Sequence, residues 1–282
     1  MILITGAGGK TGRSLTAALS TVESVCAFVH REEHASLLKA LGAKKVVLGD
    51  LRDLTAVREA IQGVRAIYHI CPNMRPDEVE IGKLVINEAK NAGTEHFVHH
   101  SVLHPQIETM PHHWAKLRVE EMIFQSGIPF TILQPAPYMQ NLQAGWKGIT
   151  EEGVLRVPYA VDSKFSFVDL KDVAQAATIV LMEKDHKNAV YELAGTLPTT
   201  HREVAGMFSR ALKREIRAER EEMETWKSRA AGLSAYAMEN LIRMFEYYDA
   251  WGLAGNTKVL QWLLGKEPAS LETFIEGMVR GN

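Results

Sequence analysis

Three glycines stand at even intervals, Gly6, Gly9 and Gly12, within Thr5-Gly6-Ala7-Gly8-Gly9-Lys10-Thr11-Gly12, directly after the apolar run Ile2-Leu3-Ile4. Residues without a side chain let backbone approach a ligand closely, and a helix that starts at such a loop aims its unsatisfied amides at an anion. In a loop that seats a pyrophosphate the first glycine permits a tight turn, the second a close backbone approach, and the third close packing of helix on strand. A merely structural turn is the alternative. A strand in front and a helix behind are the context that favours a dinucleotide, with Thr5, Lys10 and Thr11 as further contacts in the same loop.

The chemistry of the next two strand ends refines this. A dinucleotide fold that prefers NAD carries an acid at the end of its second strand to accept from the ribose 2′-hydroxyl. Here the chain reads Phe28-Val29-His30-Arg31. The planar guanidinium of Arg31 can pair with a 2′-phosphate, with Lys10 as a second cation, so NADP(H) is the expected cofactor. Glu32 and Glu33 oppose this, and a solvated strand-end arginine is the alternative. In Gly49-Asp50-Leu51-Arg52-Asp53 the Asp50 carboxylate can accept from the adenine amino group, and the Leu51 amide can support the ring. A turn-forming aspartate is the other reading, and Asp53 fits a helix cap. Cys71 and Pro72 fall at the carboxyl end of the fourth strand, where a parallel sheet places its ligand.

The elements that must position these residues follow from the apolar pattern. Ile2 to Ile4, Val25 to Val29, Val46 to Leu48, Ala66 to Ile70, Phe97 to Val98 and Phe130 to Leu133 read as strands, with helical stretches between them. Continuous apolar strands joined by helices predict an α/β, doubly wound parallel sheet of the Rossmann type. We assign residues 1–150 to this NADP(H)-binding domain, with the sheet completed by parts of 160–195, and residues 196–282 to a smaller, mostly helical domain for substrate or partner. Gly153 to Pro158 followed by Phe165 to Val168 reads as a hairpin or an irregular connection. Asp169 caps a helix with Leu170, Val173, Ala177 and Val180 on one face, Tyr191 to Gly195 is a short strand, and Thr200 with Glu203 forms a capping box for a helix through Leu212. The charged run Arg214 to Glu224 reads as a solvated helix face or turn.

Composition narrows the class of function. The chain has 282 residues, 46% hydrophobic and 23% charged, with a formal net charge of -2, so it lacks the basic excess that nucleic acid demands. Its two cysteines, Cys26 and Cys71, are too few for a disulfide framework and show no metal-ligand spacing. The start at Met1-Ile2-Leu3-Ile4 leaves no room for a signal peptide, and no apolar run is long enough for a membrane span, so a cytoplasmic protein is expected. Six of the eleven histidines lie between His96 and His113. Adjacent His99 and His100 on a strand point to opposite faces, and no carboxylate or cysteine stands at ligand spacing, so no metal site is assigned.

With these residues in hand, the chain resembles the NmrA-like family of atypical short-chain dehydrogenases, which holds both NADPH-dependent reductases and NADP(H)-sensing regulators. The resemblance rests on Thr5 to Gly12, Gly49 to Asp53, Phe97-Val98-His99-His100-Ser101-Val102, His113-Trp114-Ala115-Lys116 with Val119-Glu120, Gly127 to Leu133 running on to Tyr138 and Asn141, and Trp262 to Phe274. It implies a large nucleotide domain, a small carboxyl-terminal domain with a cleft between them, and Lys116 close to the nicotinamide ribose. Orthodox members of the wider superfamily use Tyr-x-x-x-Lys, in which the lysine orients ribose and lowers the tyrosine pKa for proton transfer. In this chain the tyrosine slot is His112. Histidine can donate a proton near neutral pH, and hydride delivery needs only apposition of nicotinamide and acceptor.

Ser101 lies where such enzymes hold a serine near the reactive carbonyl, or it is a strand-end hydroxyl bonding its own turn. Tyr138, Met139 and Asn141 follow the sixth strand after Pro135-Ala136-Pro137 and are expected to line the cleft over the nicotinamide, with Pro135 as a cofactor contact and Tyr138 as an alternative proton donor to His112; ordinary packing of a kinked segment is the other reading. Phe245, Tyr247, Tyr248 and Trp251 are either a roof over a planar apolar substrate or ordinary core. The expected function is NADPH-dependent reduction of a small apolar acceptor of quinone, aldehyde or aromatic-dye type. The rival is a non-catalytic NADP(H) redox sensor acting on a protein partner; an ether reductase or isomerase is a third reading. A homodimer remains open.

Overall fold

Val, Ala, Cys and Phe fill the five residues of Val25–Val29, all of them buried, because this strand is covered on both faces and has no solvent side to alternate toward. In the computed structural model, which describes residues 1–281, it is one of seven strands in a single sheet. The strands are β1 (Ile2–Ile4), β2 (Val25–Val29), β3 (Lys45–Leu48), β4 (Ala66–His69), β5 (His96–His100), β6 (Phe130–Pro135) and, later in the chain, β9 (Ala189–Leu193). Their order is β3-β2-β1-β4-β5-β6-β9, with parallel pairing from β3 through β6. At the last edge the Asn188 amide donates to Phe130 O and the Ala136 amide to Leu193 O, so β9 runs alongside β6.

The crossovers are α1 (Lys10–Leu19), α2 (Ala35–Ala40), α3 (Leu54–Ile61), α4 (Glu78–Asn91) and α5 (Pro111–Ser126). Asp53 caps α3 as its position predicts, accepting from the Thr55 and Ala56 amides at 2.8 and 3.4 Å. One face of the sheet is sealed by Val57, Ala60 and Ile61 of α3, Ile81, Val85, Ile86 and Ala89 of α4, and Val119 and Ile123 of α5 against Leu3, Cys26, Phe28, Ile67, Phe97 and Ile132. The i, i+3, i+4 spacing of these helical residues is what turns them all inward. The order reverses at β1, so the crevice between the carboxyl ends of β1 and β4 is the switch point at which open parallel sheets bind ligands.

The chain clusters into two compact units. The first, residues 1–106, 112–134 and 170–191, holds the sheet and α6 (Leu170–Met182). The second comprises residues 107–111, 135–169 and Glu192 onward. It contains β7 (Val154–Val157), β8 (Lys164–Phe165), β10 (Thr199–Thr200), α7 (His201–Leu212), β11 (Arg217–Arg220), α8 (Met223–Arg229), α9 (Ala235–Trp251), α10 (Lys258–Leu264) and α11 (Leu271–Arg280). Thr200 and Glu203 make the capping box of α7.

Two local expectations need correction here. Residues 153–158 and 165–168 do not form a hairpin: β7 pairs in parallel with β11, and β8 pairs antiparallel with β10. The charged run 214–224 therefore contains a strand, not a solvated helix face. Its partner is far away in the chain, which no local pattern can announce. Of the aromatics on α9, Tyr248 is buried and Phe245 half-buried; i, i+3 spacing brings both against Tyr159, at centroid distances of 5.6 and 5.8 Å, while Trp251 is 76% exposed. No helix among the described residues is long and apolar enough to cross a membrane.

Candidate active site

The glycine loop leaves β1 and is stapled to the end of β4. The Thr5 amide donates to Tyr68 O at 3.0 Å; its hydroxyl donates to Ile70 O at 3.1 Å and accepts from the Ile70 amide at 2.9 Å. Gly6 has φ +59, and a Cβ there would meet Ile70 O at 2.8 Å; a Cβ on Gly12 would meet Ala7 Cα at 2.5 Å and Gly6 O at 2.6 Å. The loop thus has its shape because two of its residues carry no side chain. Gly9 stands at the N-cap of the ten-residue α1, makes no side-chain cap, and is followed by no acid in the first turn. The helix start therefore carries no side chain of its own at Gly6, Gly8 and Gly9, the backbone donor set that suits a pyrophosphate, and the His34 ring lies against Gly8, where a Cβ would meet Cδ2 at 2.5 Å. Lys10 is exposed and Thr11 half-buried in that turn.

At the ends of β2 and β3, two of the residues singled out from the sequence already have charged partners. Arg31 is 69% exposed at its side chain, with Nη1 3.3 Å from Glu33 Oε1. Asp50 accepts from Arg52 through Nε at 2.9 Å, Nη2 at 2.5 Å and the backbone amide at 2.9 Å, and the guanidinium holds its carboxyl well below the usual range. Nothing in the sequence singles out Arg52 for this. An adenine amino group would have to share Asp50 with it. The Leu51 side chain is buried beside Phe28 and Val57 in the core, which leaves its backbone for a ligand.

A buried charge cluster lies where α5 passes the ends of β4 and β5. Lys116 and His112, one turn apart, are 4% and 5% exposed. Both face Glu78, the first residue of α4 and fully buried: Lys116 Nζ is 2.5 Å from Oε1, and His112 Nδ1 is 3.5 Å from Oε2. Burial alone would raise the Glu78 carboxyl, but Lys116 and His112 bring it down to about 2. Cys71 is buried, and burial with the neighbouring Glu78 pushes its thiol up to about 12, so the thiol is unreactive; Pro72 follows it into the loop.

Two more buried groups adjoin this cluster. The Thr5 hydroxyl proton is committed to Ile70 O, so His69 Nδ1, 2.9 Å from Thr5 Oγ1, carries the proton and Nε2 is a bare acceptor with no protein hydrogen bond. Burial and the charge of Lys116 hold His69 down to about 3. Ser101 does not bond its own turn: it donates to Glu120, one turn beyond Lys116 on α5, and Gln134 Nε2 donates to both Glu120 oxygens at 3.0 Å. Burial pushes the Glu120 carboxyl up against those donors. Lys116 is thus bracketed by one carboxyl driven to ionise and another driven toward the acid form, a separation that acid-base sites exploit.

The structure brings Thr5, Gly6, Gly9, Gly12, Cys71, His112 and Lys116 into one unit along the carboxyl edge of the sheet. Pro135 and Tyr138 belong to the second unit, where Tyr138 bridges Val168 and Met139, expected beside it on the ligand, is instead fully buried. Glu78 escapes a reading of the sequence because an acid in the first turn of a helix looks like ordinary dipole compensation.

This architecture and glycine cradle belong to a known class, and the chain is a member of the NmrA-like family, whose model matches residues 1–276. It is 29% identical over 221 residues to the NAD(P)H azoreductase of Xenophilus azovorans, covering 77% of this chain and 76% of that protein. It is 30% identical over 223 residues to the (4-alkanoyl-5-oxo-2,5-dihydrofuran-3-yl)methyl phosphate reductase of Streptomyces griseus subsp. griseus, covering 78% and 76%. The NADPH-dependent quinone oxidoreductase of Escherichia coli, solved in complex with NADPH, superposes with a TM-score of 0.87 at 26% identity over 99% of both chains.

Proposed function

We propose that this chain is an NADPH-dependent reductase of small apolar acceptors of quinone, aldehyde or aromatic-dye type. The observation that carries the reading is the pairing of a glycine-lined anion cradle at the β1 and β4 switch point with a buried, ion-paired Lys116 on the same sheet edge. Relatives named for azo, quinone and unsaturated-lactone reduction support it. Gly6, Gly9 and Gly12, with Thr5, Lys10 and Thr11, would hold the pyrophosphate. Arg31, exposed at the end of β2, would read the 2′-phosphate, Asp50 and Leu51 the adenine, and Cys71, Pro72 and Ser101 would wall the cofactor.

The bound dinucleotide would supply hydride to the acceptor. Lys116 orients the ribose, and His112 hands a proton to the acceptor, at oxygen in a quinone or aldehyde and at nitrogen in an azo dye. The unpaired thiols Cys26 and Cys71 suit a reducing, cytoplasmic setting.

The test is consumption of NADPH by purified protein across quinones, aldehydes and azo dyes, with Lys116→Ala beside it. Turnover that collapses in the variant is the expected result. Tight, redox-selective cofactor binding with no turnover on any acceptor would overturn the reading in favour of a sensor.

A further inference from the structure

Glu78 is fully buried at the start of α4, and its two oxygens are divided between two side chains one turn apart on α5. A lone carboxylate at that depth would neutralise, and so would a lone ammonium. Each persists in charged form because the other is 2.5 Å away. The second oxygen stands 3.5 Å from His112 Nδ1, so the ring turns that nitrogen toward the carboxylate and presents Nε2 away from it.

We propose that Glu78 is the positioning residue of the site, a fixed counter-ion that keeps Lys116 an ammonium and sets the orientation of the histidine that stands in the tyrosine slot. The inference rests on the reductase reading and deepens it. In the Tyr-x-x-x-Lys arrangement the lysine serves a tyrosine; here a carboxylate from a different helix serves both lysine and histidine, as a carboxylate does behind a catalytic imidazole. The other ionisable groups around the cluster are His69 and Cys71 at the end of β4, Asp77 and Arg75 in the loop before α4, His99 and His100 on β5, and His113 and Glu120 on α5. Burial holds these histidines toward their neutral form and the Cys71 thiol protonated, Arg75 and Asp77 pair with each other at 2.7 Å, and burial pushes the Glu120 carboxyl up, whereas Glu78 is held down as the carboxylate ion-paired with Lys116.

The experiment is an NMR titration of lysine-labelled, cofactor-free full chain, with the Lys116 signal assigned by Lys116→Arg, in wild type, Glu78→Gln and Glu78→Asp. The Lys116 midpoint should fall by about two pH units or more in Glu78→Gln and recover in part in Glu78→Asp. NADPH affinity should weaken about tenfold in Glu78→Gln, and the alkaline limb of the kcat/KM profile should move with the lysine midpoint. A Lys116 midpoint that does not move in Glu78→Gln overturns the proposal. If Glu78→Gln does not fold, the double variant Glu78→Leu, Lys116→Met decides: it should fold, because both charges leave together, and an equally unfolded double variant overturns the pairing. A protein that turns over no acceptor would end the reductase reading while the lysine titration still tests the counter-ion.

Discussion

Mild acid should unfold this protein through its histidines well before its carboxylates titrate. Six are buried and held neutral: His69 and His100 are brought down to about 3, His96, His113 and His201 to about 4, and His99 well below its ordinary value. Burial is the leading cause in each, reinforced by the charge of Lys116 at His69, His99 and His100. In the unfolded chain each titrates near 6.5. The unfolded state therefore binds more protons as pH falls below that value, and the stability present at neutral and higher pH is lost between about 6.5 and the folded values. From about pH 7.5 to 5.5 one such histidine costs about 1.4 kcal/mol, and six together about 8 kcal/mol, comparable with the whole stability of a typical domain. Glu120, whose carboxyl is pushed up, offsets no more than one proton of this. Glu78 contributes only below its ordinary 4.5, since its depressed value loses stability as pH falls toward about 2. Urea unfolding followed by tryptophan fluorescence between about pH 5 and 8 measures the slope directly. A slope below pH 6 equivalent to fewer than about three protons would refute the assignment of these histidines as neutral in the fold.

Two further perturbations probe the cofactor end of the site. Gly12→Ala would drive a methyl into the Ala7 backbone at 2.5 Å and should both abolish NADPH binding and destabilise the fold by about 1 to 3 kcal/mol in denaturant titration. Unchanged NADPH affinity would show that the loop has slack the contacts deny. Arg31→Ala should weaken NADPH by about 1.5 to 3 kcal/mol and leave NADH unaffected, by equilibrium fluorescence titration of both. Equal loss for both cofactors would remove Arg31 from the 2′-phosphate.

Much of the fold is legible in the amino acids because the signals are local. Val25 to Val29 and Ile2 to Ile4 are strands to the residue, since runs buried on both faces need no alternation. The helix starts at Asp53 and at Thr200 follow from side chains that bond their own amides. The parts that escape depend on distant partners. Arg217–Arg220 is a strand only because Val154–Val157 lies beside it. Asp50 reads as a free acceptor until Arg52 folds back on it, and Glu78 as a helix-start acid until α5 brings Lys116 and His112 to its two oxygens. The aromatic spacing on α9 favours a core, and Tyr248 is buried against Tyr159, a contact with a residue far away in the chain that the spacing alone cannot name.

The central claim is that the Lys116 site supports hydride transfer from NADPH. Its most direct test is a single-turnover measurement with NADPH deuterated at the transferring position of the nicotinamide, mixed with excess enzyme and a quinone or dye acceptor. Oxidation slowed at least about twofold by deuterium, and slowed about a hundredfold more in Lys116→Met, is the predicted result. Saturable binding of NADPH with no isotope-sensitive oxidation by any acceptor would contradict the account.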